Sequence, residues 1–137
     1  MRRTLVKLFA KQPLNGYIRA ITREIDPSLT KYALRQSQSE IVDFNKAQQQ
    51  HNNLLQIMKK IGIEIVTLSP DGYPDSVFIE DTAVVIDDIA FITNPGAVSR
   101  QGETNRVKEF FELNTKYKVV KQLDGTLDGG DVLYTGI

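Results

Sequence analysis

The chain has 137 residues, 41% of them apolar and 25% charged, a composition typical of one globular domain and unlike a disordered chain. Seventeen basic residues balance seventeen acidic ones, so net charge gives no reason to expect nucleic acid or an anionic membrane as a partner. No stretch has the roughly 20 apolar residues of a membrane span. Without cysteine, the chain has no disulfide, no cysteine metal site and no cysteine nucleophile.

The N-terminal segment does not have the pattern of a secretory signal. "MRRTLVKLFAKQPLNG" begins with basic residues but lacks a continuous apolar stretch and a small-residue cleavage site. We therefore expect a cytoplasmic location by default. The basic residues also allow a mitochondrial location. Extended strands are predicted over 4–9 and 17–25. Asp26 and Pro27 then predict a turn or a helix start, because Asp caps helices and Pro suits the first helical position.

The longest periodic segment predicts an amphipathic helix over 39–61. Its apolar side chains recur at three- and four-residue spacing, and Gly62 ends it. Ser37 or Ser39 supplies the predicted N-cap. The single histidine, His51, falls on the apolar face of this helix, where a structural role is the expectation.

The second half of the chain alternates short strands and loops. A strand is predicted over 63–69, and 70–75 reads as a loop from its Pro, Asp and Gly content. "DTAVVID" and "IAFITN" predict a hairpin across Asp87-Asp88. A short helix over 104–113, a strand over 117–123 and a Gly-rich turn feeding another strand complete the order. These elements predict a mixed α/β fold with hairpins rather than strict βαβ alternation.

The stretch "PDSVFIED" concentrates negative charge where the apolar pattern begins a strand. Asp75, Glu80 and Asp81 lie within seven residues, beside Phe78. Carboxylates bind the planar fork of a guanidinium through paired hydrogen bonds, so the cluster suits a cation of that kind. The alternative, that Glu80 and Asp81 belong to a solvated strand edge or turn, stays open.

Two further stretches contain residues suited to binding. "LDGTLDGGDVL" holds Asp124, Asp128 and Asp131 around a Gly-Gly pair, which allows a sharp bend and a close backbone approach. It is either a turn capped by its aspartates or a binding loop, and it lacks the ligand order of an EF-hand. In "NPGAVSR", Arg100 either reaches an anionic group or belongs to a simple turn.

Four blocks, "YALR", "PDSVFIED", "NPGAVSR" and "TLDGGDVLYTG", together resemble the dimethylarginine dimethylaminohydrolase family of the guanidine-modifying, or pentein, superfamily. They run from Tyr32 to Gly136 in the family's order and at about its spacing. The resemblance implies an α/β fold, a pentein-like propeller with pseudo-fivefold symmetry. Residues 1–137 would form a single incomplete domain, about half of that propeller.

The resemblance also implies a substrate, a methylated arginine, and roles for the charged residues. Asp75 and Asp81 would hold the guanidinium nitrogens, with Glu80 beside them. Phe78 would pack against the guanidinium plane. Arg100 would grip the α-carboxylate of the substrate.

Two more roles follow from the same resemblance. Leu34, in "YALR", would be the lid residue over the amino-acid end of the substrate. Asp128 would be catalytic, pairing with the family's histidine. In the family's reaction a cysteine thiolate attacks the guanidinium carbon, a methylated amine leaves, and water releases citrulline. That reaction needs no metal and no organic cofactor.

The sequence departs from the family at the reacting groups. The family's histidine and cysteine both follow the "DGGDVLYTG" block, and His51 does not match that histidine. The resemblance therefore implies the N-terminal half of a hydrolase, inactive alone, with a complementary C-terminal half or a second copy as partner. The family is linked to nitric-oxide regulation through removal of methylarginines. The alternatives are a non-catalytic protein that binds arginine derivatives and a fragment of an amidinotransferase or arginine deiminase, which the blocks fit less well.

Overall fold

A four-stranded mixed sheet forms the centre of the protein. The computed structural model describes residues 8–9, 19–35, 41–114, 116–121 and 124–135. The strands are β1 (Leu8–Phe9), β4 (Ala83–Ile86), β5 (Ile89–Ile92) and β6 (Lys118–Lys121), in the order β1-β4-β5-β6. Only the β4–β5 pair is antiparallel. Of the predicted strand over 4–9, the structure describes Leu8 and Phe9, and the rest lies outside the described residues.

A separate two-stranded parallel sheet pairs β2 (Arg19–Arg23) with β3 (Glu64–Leu68). The chain passes between these strands through the short helix α1 (Leu29–Tyr32) and the long helix α2 (Phe44–Lys60). This crossover is what parallel strands require, because a tight turn cannot join them. The strand predicted over 17–25 is thus confirmed at its centre.

The long helix begins later than its apolar pattern predicts. Its N-cap is Asp43, whose carboxylate accepts a hydrogen bond from the backbone N–H of Lys46 at 3.0 Å. Ser37 and Ser39, the predicted caps, lie outside the described residues. Gly62 follows the helix with a φ of 88°, which glycine adopts without steric cost. No residue of α2 is fully buried, so this helix covers β2 and β3 from outside rather than entering the core.

The predicted hairpin is confirmed. Four cross-strand pairs join β4 to β5, and Asp87 at the turn has a φ of 52°, a left-handed conformation that Asp tolerates better than most residues. The helix α3 (Thr104–Leu113) coincides with the predicted 104–113 segment. The strand predicted over 117–123 is observed as β6, and its last two residues lie outside the described part.

The core lies between the four-stranded sheet and α3. Its buried members come from both sheets, the turn before β4 and α3: Ile21, Ile79, Val85, Ala90, Ile92, Val107 and Phe111. A second, smaller cluster of Ile25, Leu29 and Val77 lies under α1. Val77 belongs to the smaller cluster and Ile79 to the larger one. Buried apolar side chains therefore lie between Asp75 and Glu80 in "PDSVFIED". The hydrophobic core therefore fixes the backbone from which those carboxylates project.

One predicted element is wrong. The Gly-rich turn does not feed a strand among the described residues, because 129–131 form a 3₁₀ turn and 132–135 have no regular structure. The described sheets are open, and closure into a pentein-like propeller stays a prediction. In the described ranges, no helix is both long and apolar enough to cross a membrane.

Candidate active site

The carboxylates of "PDSVFIED" project from consecutive tight turns rather than from a strand. The N–H of Phe78 donates to the carbonyl of Asp75 at 2.9 Å, and the N–H of Asp81 donates to the carbonyl of Phe78 at 3.2 Å. Residues 79–81 form a 3₁₀ turn, and β4 begins only at Ala83. Asp75, Phe78 and Asp81 lie at the ends of these two turns, and all three approach Arg100. The surface that they form is called the carboxylate face.

Asp75 joins this face to the "YALR" block. Its side chain is buried, and its two carboxylate oxygens accept the backbone N–H of Leu34 at 3.2 and 3.1 Å. The side chain of Leu34 is 58% exposed. The structure thus anchors the backbone of Leu34 at the carboxylate cluster and leaves its side chain in solvent.

Asp81 is held from two sides. Its Oδ2 lies 2.5 Å from Nη1 of Arg100, and its Oδ1 accepts the N–H of Gly130 at 3.2 Å. Gly130 belongs to "DGGD", and a Cβ atom there would lie 2.5 Å from Oδ1 of Asp81. The glycine is therefore needed for the close approach, and Asp81 connects "PDSVFIED", "NPGAVSR" and "DGGD".

Arg100 lies at the centre of the group. Its guanidinium is 6.0 Å from the ring centroid of Phe78, and Nη2 donates to the backbone carbonyls of Asp75 and Phe78 at 3.2 and 3.1 Å. Its Nε and Nη2 also bind Glu103. Burial alone would lower the pKa of Arg100. The hydrogen bonds that Arg100 donates to Glu103 and Asp81 outweigh this effect and raise that pKa above its ordinary value.

Most donors of Arg100 are directed into the protein. The guanidinium has five N–H groups, and its contacts occupy Nε, both hydrogens of Nη2 and one hydrogen of Nη1. One Nη1 hydrogen has no partner in the described ranges. The sequence predicted Arg100 as a contact for a substrate carboxylate, and this hydrogen is what the described structure leaves for such a contact.

Glu80 differs from its two acidic neighbours. Desolvation by burial raises its pKa to about 7, and the charge of Asp81 adds to the shift. Its Oε2 is buried without a hydrogen-bond partner among the described residues. A cation that arrived beside it would favour the ionised carboxylate, so Glu80 is suited to give up a proton when positive charge binds near neutral pH.

Asp128 is partly exposed at the start of the 129–131 turn, and its Oδ1 accepts the N–H of Gly96 at 3.3 Å. At Gly129, a Cβ atom would overlap the carbonyl oxygen of Glu80 and lie 3.0 Å from that of Ala83. The Gly-Gly pair thus lets this turn pack directly on the 79–83 segment. Asp124, Asp128 and Asp131 do not form a metal site, since no group of ligating side chains suited to a metal occurs in the described part of the chain.

Three charged residues of this region were not singled out from the sequence. Arg23 is fully buried, forms an ion pair with Asp71, and donates from Nη2 to the backbone carbonyl of Glu103 at 3.3 Å. Glu103 is fully buried and pairs with Arg100. Burial lowers the pKa of Arg23 and Asp71 opposes that shift. The available signal was the three-residue spacing of Arg100 and Glu103, which is common on protein surfaces and therefore unspecific.

His51 lies apart from the cluster. It faces β2 from α2, and its Nε2 is 3.4 Å from Oγ1 of Thr22. Desolvation by burial lowers its pKa. This placement agrees with the expectation of a structural role.

The fold is α/β, and in the site the carboxylates of Asp81 and Glu103 converge on the guanidinium of Arg100. Comparison with known proteins places this fold in the guanidine-modifying class. Residues 17–134 match the family described as "N,N dimethylarginine dimethylhydrolase, eukaryotic". The chain belongs to this dimethylarginine dimethylaminohydrolase family.

Two individual relatives are named as dimethylarginine dimethylaminohydrolases. The chain is 38% identical over 96 residues to the N(G),N(G)-dimethylarginine dimethylaminohydrolase of Pseudomonas aeruginosa and 38% identical over 120 residues to that of Streptomyces coelicolor. These matches cover 69% and 86% of this chain but only 38% and 46% of those proteins. A crystal structure of a variant of the Pseudomonas enzyme complexed with citrulline superposes with a TM-score of 0.80 at 35% identity, covering 88% of this chain and 48% of that one. The chain spans less than half the length of these relatives.

Proposed function

We propose that the chain binds an N-methylated arginine and supplies the substrate-binding side of a hydrolase that forms citrulline and a methylated amine. The observation that carries this proposal is the convergence on Asp81. Arg100 and Gly130 hold this carboxylate from two sides, so segments far apart in sequence form one anionic site. Such convergence is typical of a binding site and is not required by a solvated turn.

The guanidinium end of the substrate would lie against the carboxylate face. Asp75 and Asp81 would accept hydrogen bonds from its nitrogens, and Phe78 would pack against its plane, as Arg100 already lies near that ring. Glu80, with its pKa raised to about 7, would ionise as the cation binds. Fixed carboxylates orient the cation and stabilise its charge during reaction.

The amino-acid end of the substrate would face Arg100 and Leu34. The remaining Nη1 hydrogen of Arg100 would donate to the α-carboxylate. Leu34 would act as the lid residue, because its backbone is tied to Asp75 while its side chain is 58% exposed. Asp128 would pair with the family's histidine. His51 does not match that histidine, because it lies on α2 and contacts Thr22 of β2.

The chain would be inactive by itself. It has no cysteine, so the thiolate that attacks the guanidinium carbon must come from a complementary C-terminal half. The amine would leave with a proton from the histidine, and water would then cleave the thiouronium intermediate. Neither step calls for a metal or an organic cofactor.

The alternative function is that of a binding or interaction protein, which would bind arginine derivatives without converting them. The contacts that hold Asp81 suit this alternative as well. The two functions predict the same ligand and differ only in turnover.

Turnover is tested by mixing the purified chain with a C-terminal half, carrying histidine and cysteine, from the Pseudomonas aeruginosa relative. Dimethylarginine is added and citrulline is measured. Citrulline from the mixture, and none from either piece, is the expected result. If the two pieces associate, dimethylarginine binds and no citrulline forms, the non-catalytic function is favoured. If dimethylarginine does not bind at all, both functions are wrong.

The pocket itself is tested with Asp81→Asn. A neutral amide cannot match the charge of a guanidinium, and a charge-assisted hydrogen bond contributes about 1.5–3 kcal/mol. We therefore expect affinity for dimethylarginine, measured by calorimetry, to fall roughly 10- to 100-fold. Asp88→Asn, at an exposed aspartate of the β4–β5 turn, is the control and should leave the affinity unchanged. Unchanged affinity in Asp81→Asn would rule out this pocket.

A further inference from the structure

Glu103 makes the most extensive side-chain contact of Arg100. Its Oε1 lies 3.2 Å from Nε of Arg100, and its Oε2 lies 3.1 Å from Nε and 2.8 Å from Nη2. This arrangement uses both carboxylate oxygens against one edge of the guanidinium. Contacts of this kind fix orientation as well as adding energy, because the planar fork can meet the carboxylate in few ways.

Glu103 occupies the Nε and Nη2 edge of the Arg100 guanidinium, and this limits which groups the other nitrogen can contact. With Nε and Nη2 held by Glu103, Nη1 points to Asp81 at 2.5 Å. Nη2 also bonds the carbonyls of Asp75 and Phe78. A guanidinium rotated about its long axis would lose these contacts together. Glu103 therefore sets the direction in which Arg100 faces the carboxylate turns.

The backbone of Glu103 is also held in place. Its carbonyl accepts a hydrogen bond from Nη2 of the fully buried Arg23, which forms an ion pair with Asp71. The preceding residue, Gly102, lies directly against Tyr73, and a Cβ atom there would overlap the tyrosine ring. These contacts join the 3₁₀ turn Val98–Glu103 to the loop that leads into "PDSVFIED", so the backbone of Glu103 is rigid.

Glu103 has no access to a ligand. Its relative exposure is 0%, whereas Arg100 and Asp81 remain partly accessible, with side-chain exposures of 10% and 20%. Any effect of Glu103 on binding must therefore pass through Arg100. Burial raises the pKa of Glu103, and its hydrogen bonds with Arg100 oppose that shift.

We infer that Glu103 is a positioning residue of the cation site. It holds Arg100 in the orientation that keeps Asp81 in place and leaves one Nη1 hydrogen available to a ligand. The part of this inference that concerns ligands rests on the proposed function. The part that concerns Arg100 does not, and each can be measured separately.

The first measurement needs no variant and no ligand. In the NMR spectrum of the wild-type chain, the Nε–H proton of Arg100 should exchange with water at least roughly tenfold more slowly than that of Arg106, because only the first donates to a buried carboxylate. Arg106 is a matched reference, since it pairs with Glu109 at the same three-residue spacing on the exposed face of α3. Equal exchange of the two protons would overturn the inference.

The second measurement uses Glu103→Gln, which keeps the shape of the side chain and removes its charge. Glu109→Gln is the control. We expect dimethylarginine affinity to fall about tenfold in Glu103→Gln, with a smaller loss for methylguanidine, which has no carboxylate for Arg100 to grip. A merely structural role would weaken both ligands equally, and that result would contradict the inference.

A conservative variant separates positioning from folding. Glu103→Asp keeps the charge on a shorter side chain, so it should recover part of the dimethylarginine affinity lost in Glu103→Gln. If Glu103→Gln fails to fold, Glu103→Asp is compared with the wild type for the same difference between the two ligands. If wild type binds neither ligand, the proposed function fails, while the exchange of the Arg100 proton still decides whether Glu103 holds Arg100.

Discussion

Two ion pairs with the same spacing behave differently in this protein. Arg100 and Glu103 precede α3 and are buried, whereas Arg106 and Glu109 lie on α3 with side-chain exposures of 66% and 56%. The buried pair is joined to Asp81, while the exposed pair has solvent around it. A surface pair contributes little because water and salt screen it, but a buried charge left without its partner is costly. Spacing alone therefore does not tell a site residue from a surface one.

The largest expected effect comes from removing one arginine from each pair. Arg100→Met leaves Glu103 and Asp81 without their buried partner, so the free energy of unfolding should fall by about 3–5 kcal/mol. Arg106→Met should change it by about 1 kcal/mol or less. Urea denaturation of both variants measures the difference. Similar losses in the two variants would show that burial adds nothing to the first pair.

Glu80 extends the comparison to a carboxylate that is largely desolvated and has one oxygen, Oε2, without a hydrogen-bond partner among the described residues. Its pKa is raised from 4.5 to about 7, so the folded state binds a proton that the unfolded state releases between these values. Its contribution to stability is therefore fully present below 4.5 and is lost as the pH rises through 7. The loss is at most about 3 kcal/mol.

The measurement is the pH dependence of unfolding in wild type and Glu80→Gln. Between about pH 5 and 8, the free energy of unfolding should fall less in the variant than in wild type. The difference should be roughly the contribution of Glu80. Identical pH profiles would mean that Glu80 titrates normally in the folded protein.

A third, smaller effect tests the close approach of the "DGGD" turn to the 79–83 segment. Gly129→Ala places a Cβ atom against the carbonyl of Glu80, and crowding of this kind costs about 1–3 kcal/mol. Gly96→Ala is the matched control, because its Cβ atom would lie 3.7 Å from Oδ2 of Asp128, an ordinary contact. Thermal unfolding should separate the two, and equal melting temperatures would show that the 129–131 turn can move away freely.

The elements that depend on local sequence could be predicted closely. The hairpin across Asp87-Asp88 and the helix over 104–113 were predicted where they occur, because turn residues and helical periodicity act over a few neighbours. The start of α2 was misplaced, since the capping bond of Asp43 determines where the helix begins. The strand expected after "DGGD" did not form among the described residues, where 129–131 instead pack on the 79–81 turn.

The candidate site was predicted in part. Its acidic members and Arg100 could be named from the resemblance, and the structure brings Asp75, Asp81 and Arg100 together. Their roles toward a substrate stay proposals. Arg23 and Glu103 could not be found, because they lie 80 residues apart and each resembles an ordinary surface charge until its neighbours are known.

The sequence by itself determined the type of most elements, the family and the kinds of charge available for a site. Short-range periodicity and turn chemistry suffice to predict the type of an element. The four blocks, in their order, suffice to indicate the family. Only the tertiary structure decided which charges are buried and which partners they have. Burial is a property of the packed chain, so an arginine such as Arg100 acquires its orientation, and Glu80 its raised pKa, only when segments distant in sequence exclude water together.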